Sequence, residues 1–144
     1  MSDKRPRFSV KVRTNVGNRA LWRCEYCKTP KSFSIQPYVI EHIIPISKGG
    51  SSEEDNLAYS CGGCNQFKYN KTESEDPING ELVPLFHPRA DTWSDHFAWS
   101  DDFATIIGLT PTGRATIVAL KINRETVQNL RKVLLLAKEH PPAE

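Results

Sequence analysis

The front half of the chain alternates between helical and extended patterns of apolar residues. Residues 9–21 place Val12, Val16 and Ala20 at every fourth position, which predicts an amphipathic helix, although VKVRT alone is also compatible with a strand. Residues 32–46 are rich in β-branched and aromatic side chains and predict extended chain that a proline interrupts near its end. A turn-rich loop follows, and a short helix is expected from Cys64 onward.

The second half begins with a proline-rich stretch, which we expect to be extended loop. Residues 96–109 predict a β-hairpin that turns at residues 100–102. Thr110 and Pro111 have the residue types of a helix cap and first helical position. Residues 123–140 predict a second helix capped by Asn123. Its apolar stripe comprises Val127, Leu130, Leu134 and Ala137.

Length and composition indicate a soluble globular protein. The 144 residues are 38% hydrophobic and 25% charged, which suits one domain or a small domain with an extension. We divide the chain into residues 1–72 and residues 73–144. No apolar run approaches the roughly 18 residues that a membrane span needs. The basic amino terminus lacks the apolar core of a secretion signal, so we expect a cytoplasmic protein.

Charge is distributed unevenly along the chain. Residues 1–71 carry twelve lysines and arginines against six acidic residues, whereas residues 72–144 carry seven against eleven. A basic front half suits a polyanionic partner such as nucleic acid. A solvated surface with chance asymmetry is the alternative that charge alone leaves open.

All four cysteines fall into two C-x-x-C pairs. They are Cys24, Cys27, Cys61 and Cys64. Without a secretion signal disulfides are not expected, and four thiolates in paired knuckles are typical of a structural zinc site. We expect Gly62 and Gly63 to let the second knuckle turn tightly. The 33 residues between the pairs exceed a zinc-ribbon gap, so another element is inserted there. A redox C-x-x-C is the competing interpretation.

The segment from Ala20 to Lys71 contains, in order, CEYC, EH, PISKGG, DNL and CGGCNQFK. This series resembles the HNH endonucleases, a ββα-metal nuclease superfamily with flanking zinc knuckles. The resemblance covers about a third of the chain. It implies an α+β fold with a ββα-metal core and a four-cysteine zinc site, followed by an extension of one β-hairpin and two helices.

The resemblance also implies a role for each residue of the series. His42 would be the general base, a task that suits histidine because its ordinary pKa lies near neutrality. Glu41 and Asn65 would bind a catalytic divalent metal, and their oxygen atoms favour Mg²⁺ or Mn²⁺. Asn56 would brace the loop that orients the base. Lys68 is a candidate for holding the scissile phosphate.

The function implied is metal-dependent hydrolysis of phosphodiester bonds in double-stranded DNA, with 5′-phosphate and 3′-hydroxyl products. A nicking enzyme or a defence enzyme of the restriction type would fit. The alternative is a zinc-stabilised nucleic-acid-binding module without cleavage, and a third possibility is a helper subunit recruited by its second half. The joint presence of His42, Asn56 and Asn65 favours the nuclease, because a binding module does not need this set.

Four further side chains are weaker candidates. We expect His87 and His96 to be structural and His140 to be a solvated helix end. Arg114, near a predicted helix start, is a candidate for a phosphate contact. The aromatic residues of the second half are expected in the core rather than on a base-stacking surface, and they are Trp93, Phe97 and Trp99.

Overall fold

Residues 8–143 are described by a computed structural model. The helices are α1 (Val10–Arg19), α2 (Gly62–Lys68), α3 (Trp93–His96), α4 (Pro111–Ala119) and α5 (Glu125–Leu136). The strands are β1 (Val39–His42), β2 (Leu57–Ser60), β3 (Glu73–Glu75), β4 (Leu82–Pro84), β5 (Phe97–Trp99) and β6 (Ile106–Gly108). They form three two-stranded antiparallel sheets. The predicted α+β class is confirmed.

The central unit is a β-hairpin followed directly by a helix. Strand β1 pairs with β2 so that Ile40 lies opposite Tyr59 and His42 lies opposite Leu57. Helix α2 begins at Gly62, one residue after the knuckle cysteine that follows β2. This order of strand, strand and helix is the ββα core expected from the resemblance. Of the extended segment 32–46, only residues 39–42 form a strand.

The two faces of this hairpin pack against different partners. Alternate residues of a strand point to opposite faces. Ile40 therefore packs with Leu57 and Tyr59 against the buried Val16 of α1. On the other face, Ala58 belongs to the cluster that contains the four cysteines. Since Glu41 and His42 are neighbours, the hairpin sends them to opposite faces.

The proline-rich stretch after residue 72 contains a hairpin that we did not expect. Strands β3 and β4 pair, and Asp76 begins the turn by donating its backbone N–H to the carbonyl of Glu81 at 2.8 Å. The Asp76 carboxylate accepts two hydrogen bonds from Arg114, at 2.9 and 2.7 Å. Arg114 thus joins this hairpin to α4, and its candidacy for phosphate contact is not supported.

One buried cluster joins the two halves of the chain. It contains the cysteines together with Phe86, Phe97, Ile106, Leu120 and Ile122. Arg131, on the apolar stripe of α5, is 2% exposed and donates hydrogen bonds to the carbonyls of Cys27 and Ile122. The boundary at residue 72 therefore stays a prediction, because this cluster draws its members from both sides of it.

The expected cap of α5 is wrong. The residue that precedes the helix is Arg124, not Asn123. The Asn123 side chain instead bonds the backbone N–H and carbonyl of Ile106 at 2.8 Å each. An amide side chain offers both a donor and an acceptor, so it can mimic a strand partner as readily as a cap.

The carboxyl end of the chain also differs from expectation. His140 is 5% exposed rather than solvated. Its Nε2 lies 2.8 Å from the carbonyl oxygen of Phe103, and its ring meets Trp99 edge-on at 4.4 Å. Burial lowers the pKa of His140. The aromatic prediction is confirmed, because Phe97 is buried and Trp93 and Trp99 pack against the core.

No helix among residues 8–143 combines the length and the apolar composition that crossing a bilayer requires.

Candidate functional site

The four cysteines converge on one point. All are buried, and their sulfur atoms lie within 4.8 Å of one another. The sulfur atoms of Cys27 and Cys61 are 3.7 Å apart. Zinc–sulfur bonds of about 2.3 Å in a tetrahedron place sulfur atoms about 3.8 Å apart. The donor set and its spacing therefore fit a structural zinc ion.

Local backbone contacts shape each knuckle. In the first, the Cys24 carbonyl accepts the N–H of Lys28, and the Cys24 N–H donates to Thr29. In the second, Cys61 precedes α2 and its sulfur accepts the N–H of Cys64 at 3.4 Å. A helix N-terminus presents unpaired N–H groups, so it stabilises a thiolate at that position.

Gly63 has a different purpose from the one expected. It lies within α2 rather than in a tight turn. A Cβ atom built on Gly63 would lie 2.5 Å from a terminal nitrogen of Arg124. The absence of a side chain at Gly63 thus leaves room for the close approach of Arg124.

Arg124 comes from the second half of the chain and covers the zinc site. Its two terminal nitrogens lie 3.7 Å from the sulfur of Cys64 and 3.6 Å from that of Cys61. Burial acts to lower the pKa of Arg124, but the neighbouring Cys64 sulfur raises it, and the net pKa is raised. Four thiolates around Zn²⁺ leave a net charge of about −2, which a guanidinium partly offsets.

We expect Arg124→Ala to weaken zinc binding by about 10- to 100-fold, the usual effect of removing a residue that supports metal ligands. Competition with a coloured zinc chelator measures the affinity. Lys132→Ala, at an exposed position of α5, is the control and should retain the parent affinity. Equal zinc affinity in both variants would mean that Arg124 only packs against the knuckle.

Glu41 is enclosed beneath the hairpin. Its Oε1 accepts a hydrogen bond from the Tyr26 hydroxyl, and its Oε2 lies 3.5 Å from Nζ of Lys68. The side chains of Glu41 and Lys68 are 4% and 2% exposed. Burial raises the pKa of Glu41, while Lys68 and the Tyr26 hydrogen bond act in the opposite direction. The result is a buried carboxylate held between a hydroxyl and an ammonium.

Lys68 does not reach the surface in this arrangement. Besides the contact with Glu41, its Nζ donates a hydrogen bond to the carbonyl of Ile43 at 2.9 Å. Asn65 lies one helical turn before Lys68 on α2 and is half-buried, which places both on one helix face. The structure thus brings Glu41 and Lys68 into contact, and Asn65 lies one helical turn before Lys68.

His42 is the last residue of β1, and its side chain lies on the opposite face of the hairpin from that of Glu41. Its Nε2 lies 3.0 Å from the hydroxyl oxygen of Ser52, and its ring lies 5.5 Å from that of Phe8. The imidazole is half-buried at the end of the hairpin. An imidazole and a carboxylate that are adjacent in sequence are therefore separated by the width of a strand.

Asn56 fastens the loop between the two strands. Its amide oxygen accepts the N–H of Ile44 at 2.9 Å, and its amide nitrogen donates to the carbonyls of Ile44 and Ser51 at 2.9 and 2.7 Å. A Cβ atom on Gly50 would lie 1.7 Å from the Ile44 carbonyl oxygen. The loop can close on Asn56 only because residue 50 has no side chain.

Replacing Asn56 with alanine should lower the free energy of unfolding by at least about 2 kcal/mol. Each buried polar group that loses its partner costs about 1–3 kcal/mol, and the Ile44 N–H loses its bond to the amide oxygen. Urea denaturation measures the change. Asn70→Ala, at an exposed position, should stay within about 0.5 kcal/mol of the parent. A similar small change in both variants would exclude the bracing function.

Two important side chains were missed in the sequence. Tyr26 lies inside the first C-x-x-C, where its size could have signalled a buried contact. Arg124 carries no local signal, because its partners are about sixty positions away. A third long-range contact is the ion pair of Arg89 with Glu25, whose carboxylate also accepts the N–H of Tyr59 at 2.8 Å.

The other histidines of the second half make local contacts. Nδ1 of His87 accepts the backbone N–H groups of Arg89 and Ala90 at 3.1 Å each, and burial lowers its pKa. Nδ1 of His96 lies 2.6 Å from the hydroxyl of Thr110, the cap of α4. These contacts agree with the structural roles expected for both.

Comparison with known proteins identifies the same part of the chain. A family model described as HNH endonuclease matches residues 24–71. Neither a search of curated proteins nor a search of solved structures finds a match. The matched segment begins at the first knuckle cysteine and contains β1, β2 and α2 with every site residue named above for the resemblance. Residues 24–71 are therefore similar to the HNH endonuclease family.

Proposed function

We propose that the protein is a metal-dependent endonuclease that hydrolyses phosphodiester bonds in DNA and leaves 5′-phosphate and 3′-hydroxyl ends. The observation that carries the proposal is the position of His42. It ends β1 opposite Leu57 in the ββα unit that the HNH family model covers. A half-buried imidazole at a strand end can meet both water and a bound phosphate.

In this proposal His42 removes a proton from the attacking water. The Ser52 hydroxyl, 3.0 Å from Nε2, orients the ring. Asn56 holds the loop that carries Ser51 and Ser52 through its bond to the Ser51 carbonyl. The loop that Asn56 holds in place therefore fixes the orientation of His42, and a general base needs a fixed orientation to act on the attacking water.

Glu41 and Asn65 are the proposed ligands of Mg²⁺ or Mn²⁺. Both offer oxygen atoms, which these hard cations prefer. A carboxylate has about four lone-pair sites, and Tyr26 and Lys68 contact one oxygen each, so Glu41 retains acceptor capacity. The bound ion would supply stabilisation of negative charge on the leaving 3′ oxygen.

The role proposed for Lys68 differs from the phosphate contact expected from the sequence. Because its Nζ bonds Ile43 and faces Glu41, we assign it to positioning the Glu41 carboxylate. Phosphate contact, as predicted from the sequence, would require the ammonium to leave the Ile43 carbonyl. The positive charge of Lys68 also reduces the free-energy cost of burying the Glu41 carboxylate.

The proposed substrate is double-stranded DNA, and the proposed location is the cytoplasm. The excess of basic residues before residue 72 suits a phosphate backbone. A reducing compartment suits four cysteines that bind metal as thiolates. A nicking or restriction-type defence activity is a narrower form of this proposal.

One observation favours the second candidate, a zinc-stabilised nucleic-acid-binding module without cleavage. Glu41 and Lys68 are buried and paired, and a structural ion pair needs no catalytic metal. In that case the carboxylate would stabilise the fold beneath the hairpin, and the surface alone would bind nucleic acid.

Nicking of supercoiled plasmid separates the two candidates. Zinc-loaded protein is incubated with plasmid in buffer alone, with Mg²⁺ and with Mn²⁺, at low and moderate salt. The nuclease proposal expects nicked or linear plasmid only with a divalent metal, and nicks that DNA ligase reseals without prior phosphorylation. DNA binding without nicking in either metal would establish the binding module instead.

A further inference from the structure

A groove lies on the hairpin face that carries His42. It encloses about 300 Å³ and is lined by Trp22, Tyr38, Ile40 and Tyr59, with Arg13 and Lys31 among its polar lining residues. None of these side chains has a place in the mechanism proposed above. Ile40 and His42 are two residues apart on β1 and share a face, so they lie about 7 Å apart along the strand.

The aromatic wall of the groove is held rigidly. Trp22 has φ of +56° and follows Leu21 with φ of +55°, a conformation that non-glycine residues adopt only when their surroundings enforce it. Its backbone N–H donates to Gly17 at 2.9 Å, and its indole N–H donates to Asn18 at 3.0 Å. A Cβ on Gly17 would lie 2.3 Å from the indole ring.

The ring nevertheless remains open to solvent. Trp22 is 40% exposed, while its edge meets Tyr59 at 5.6 Å between ring centroids. Tyr59 in turn packs against Tyr38 at 5.1 Å. Three aromatic rings thus form one connected surface, and the protein holds the outermost in a constrained conformation while leaving it partly exposed.

The lining of the groove includes two basic residues, Arg13 and Lys31, and no acidic one. Residues 8–40 contain six lysines and arginines and one acidic residue, Glu25. Glu25 is 6% exposed and pairs with Arg89, so it contributes no free negative charge. Arg13 and Lys31 are exposed, and Nζ of Lys31 lies 5.9 Å from the Trp22 ring centroid.

Proteins commonly bind unpaired nucleobases through aromatic rings that are bordered by cationic side chains. A base stacks on the ring through its flat face while the cations neutralise adjacent phosphates. A base inside a duplex has both faces covered, so it must leave the stack before it can enter a groove. The distance from Ile40 to His42 is comparable with the length of one extended nucleotide.

We infer that this groove binds an unpaired nucleobase of the strand being cut, about one nucleotide from the scissile phosphate. The inference rests on the proposed nuclease function and narrows its double-stranded substrate to DNA in which a base near the cut is unpaired. Single-stranded or locally unpaired DNA should bind better than intact duplex. Base identity should matter little, because every base offers a face for stacking.

Binding without catalytic metal tests the groove independently of cleavage. Zinc-loaded full-length protein is titrated into fluorescein-labelled 12-nucleotide oligothymidine and into an abasic strand of equal length and charge, without Mg²⁺ or Mn²⁺. We expect oligothymidine to bind about 5- to 150-fold more tightly, the range that stacking of one base supplies. Equal affinity for the two strands would overturn the inference.

Three variants separate stacking from charge. Trp22→Ala should lose most of the preference for bases, and Trp22→Phe should retain it. Arg13→Gln should weaken binding to both strands alike and reduce the salt dependence. Leu136→Ala, an apolar side chain that is 86% exposed on α5, is the control. If folded Trp22→Ala still prefers oligothymidine, the base binds elsewhere and the inference is wrong. If the parent protein dimerises and Trp22→Ala does not, the groove binds a second copy of the chain instead.

The two proposals fail separately. If the protein prefers oligothymidine but leaves plasmid intact in both metals, the groove proposal is supported and the nuclease proposal is contradicted. If the protein nicks plasmid but binds the two oligonucleotides equally, the nuclease proposal is supported and the groove proposal is contradicted.

Discussion

Cys61→Ser should abolish stoichiometric zinc binding and cooperative folding. Serine is a poor ligand for a borderline-soft ion, and three remaining cysteines cannot complete the tetrahedron. A structural zinc site contributes about 10–16 kcal/mol in zinc-finger peptides, which matches or exceeds the total stability of about 5–15 kcal/mol of a typical domain. Elemental analysis measures the zinc content, and circular dichroism with urea measures the folding.

The structure extends the expected damage to the second half of the chain. The positions of the cysteines in the sequence alone would predict unfolding of the front half only. The cysteines, however, share one buried cluster with Leu120 and Ile122, and Arg124 contacts the Cys61 sulfur. Asn70→Ser, at an exposed position just after α2, is the control and should fold with one zinc. A folded Cys61→Ser protein with one zinc per chain would contradict the proposed site.

His42→Ala should lower the rate of plasmid nicking by about 10²- to 10⁴-fold, the usual contribution of a positioned general base. Zinc content, fold and affinity for DNA should be retained, because His42 lies on the hairpin face away from the cysteines. Single-turnover nicking in Mg²⁺ and in Mn²⁺ gives the rate. Added metal should not restore it, since the lost group handles a proton and is not a ligand.

His96→Asn is the matched control for this experiment. It removes an imidazole from the second half of the chain, and asparagine keeps a polar group near the Thr110 hydroxyl that Nδ1 of His96 contacts at 2.6 Å. Its nicking rate should equal that of the parent. If His42→Ala nicked plasmid as fast as the parent, the proposed mechanism would be wrong and the binding module would replace it.

Local spacing was enough to predict the metal site and the central unit. Two residues between paired cysteines let each pair contact one ion, wherever the rest of the chain runs. The extended residues and the helix expected from Cys64 predicted β1 and α2, whereas β2 was expected only from the resemblance to the HNH endonucleases. Thr110 caps α4 and Pro111 is its first residue, as expected, because caps depend on neighbours in sequence.

Polar residues were harder to place, because their partners lie far along the chain. Nothing near Glu41 shows that Tyr26 and Lys68 enclose it. His140 follows an exposed helix end, and only its contact with Trp99 and Phe103 explains its burial. A buried polar group must find a partner, but the sequence does not say which one.

The zinc site and the ββα order follow from residues that are close in sequence, and the sequence by itself determined them. Tertiary structure alone decided that Glu41 and His42 occupy opposite faces of one hairpin, that Arg124 covers two cysteines through the space left by Gly63, and that Trp22 forms a groove with Tyr59. Each of these depends on packing between segments tens of residues apart. Such packing is selected by the burial of the whole core, which no local pattern specifies.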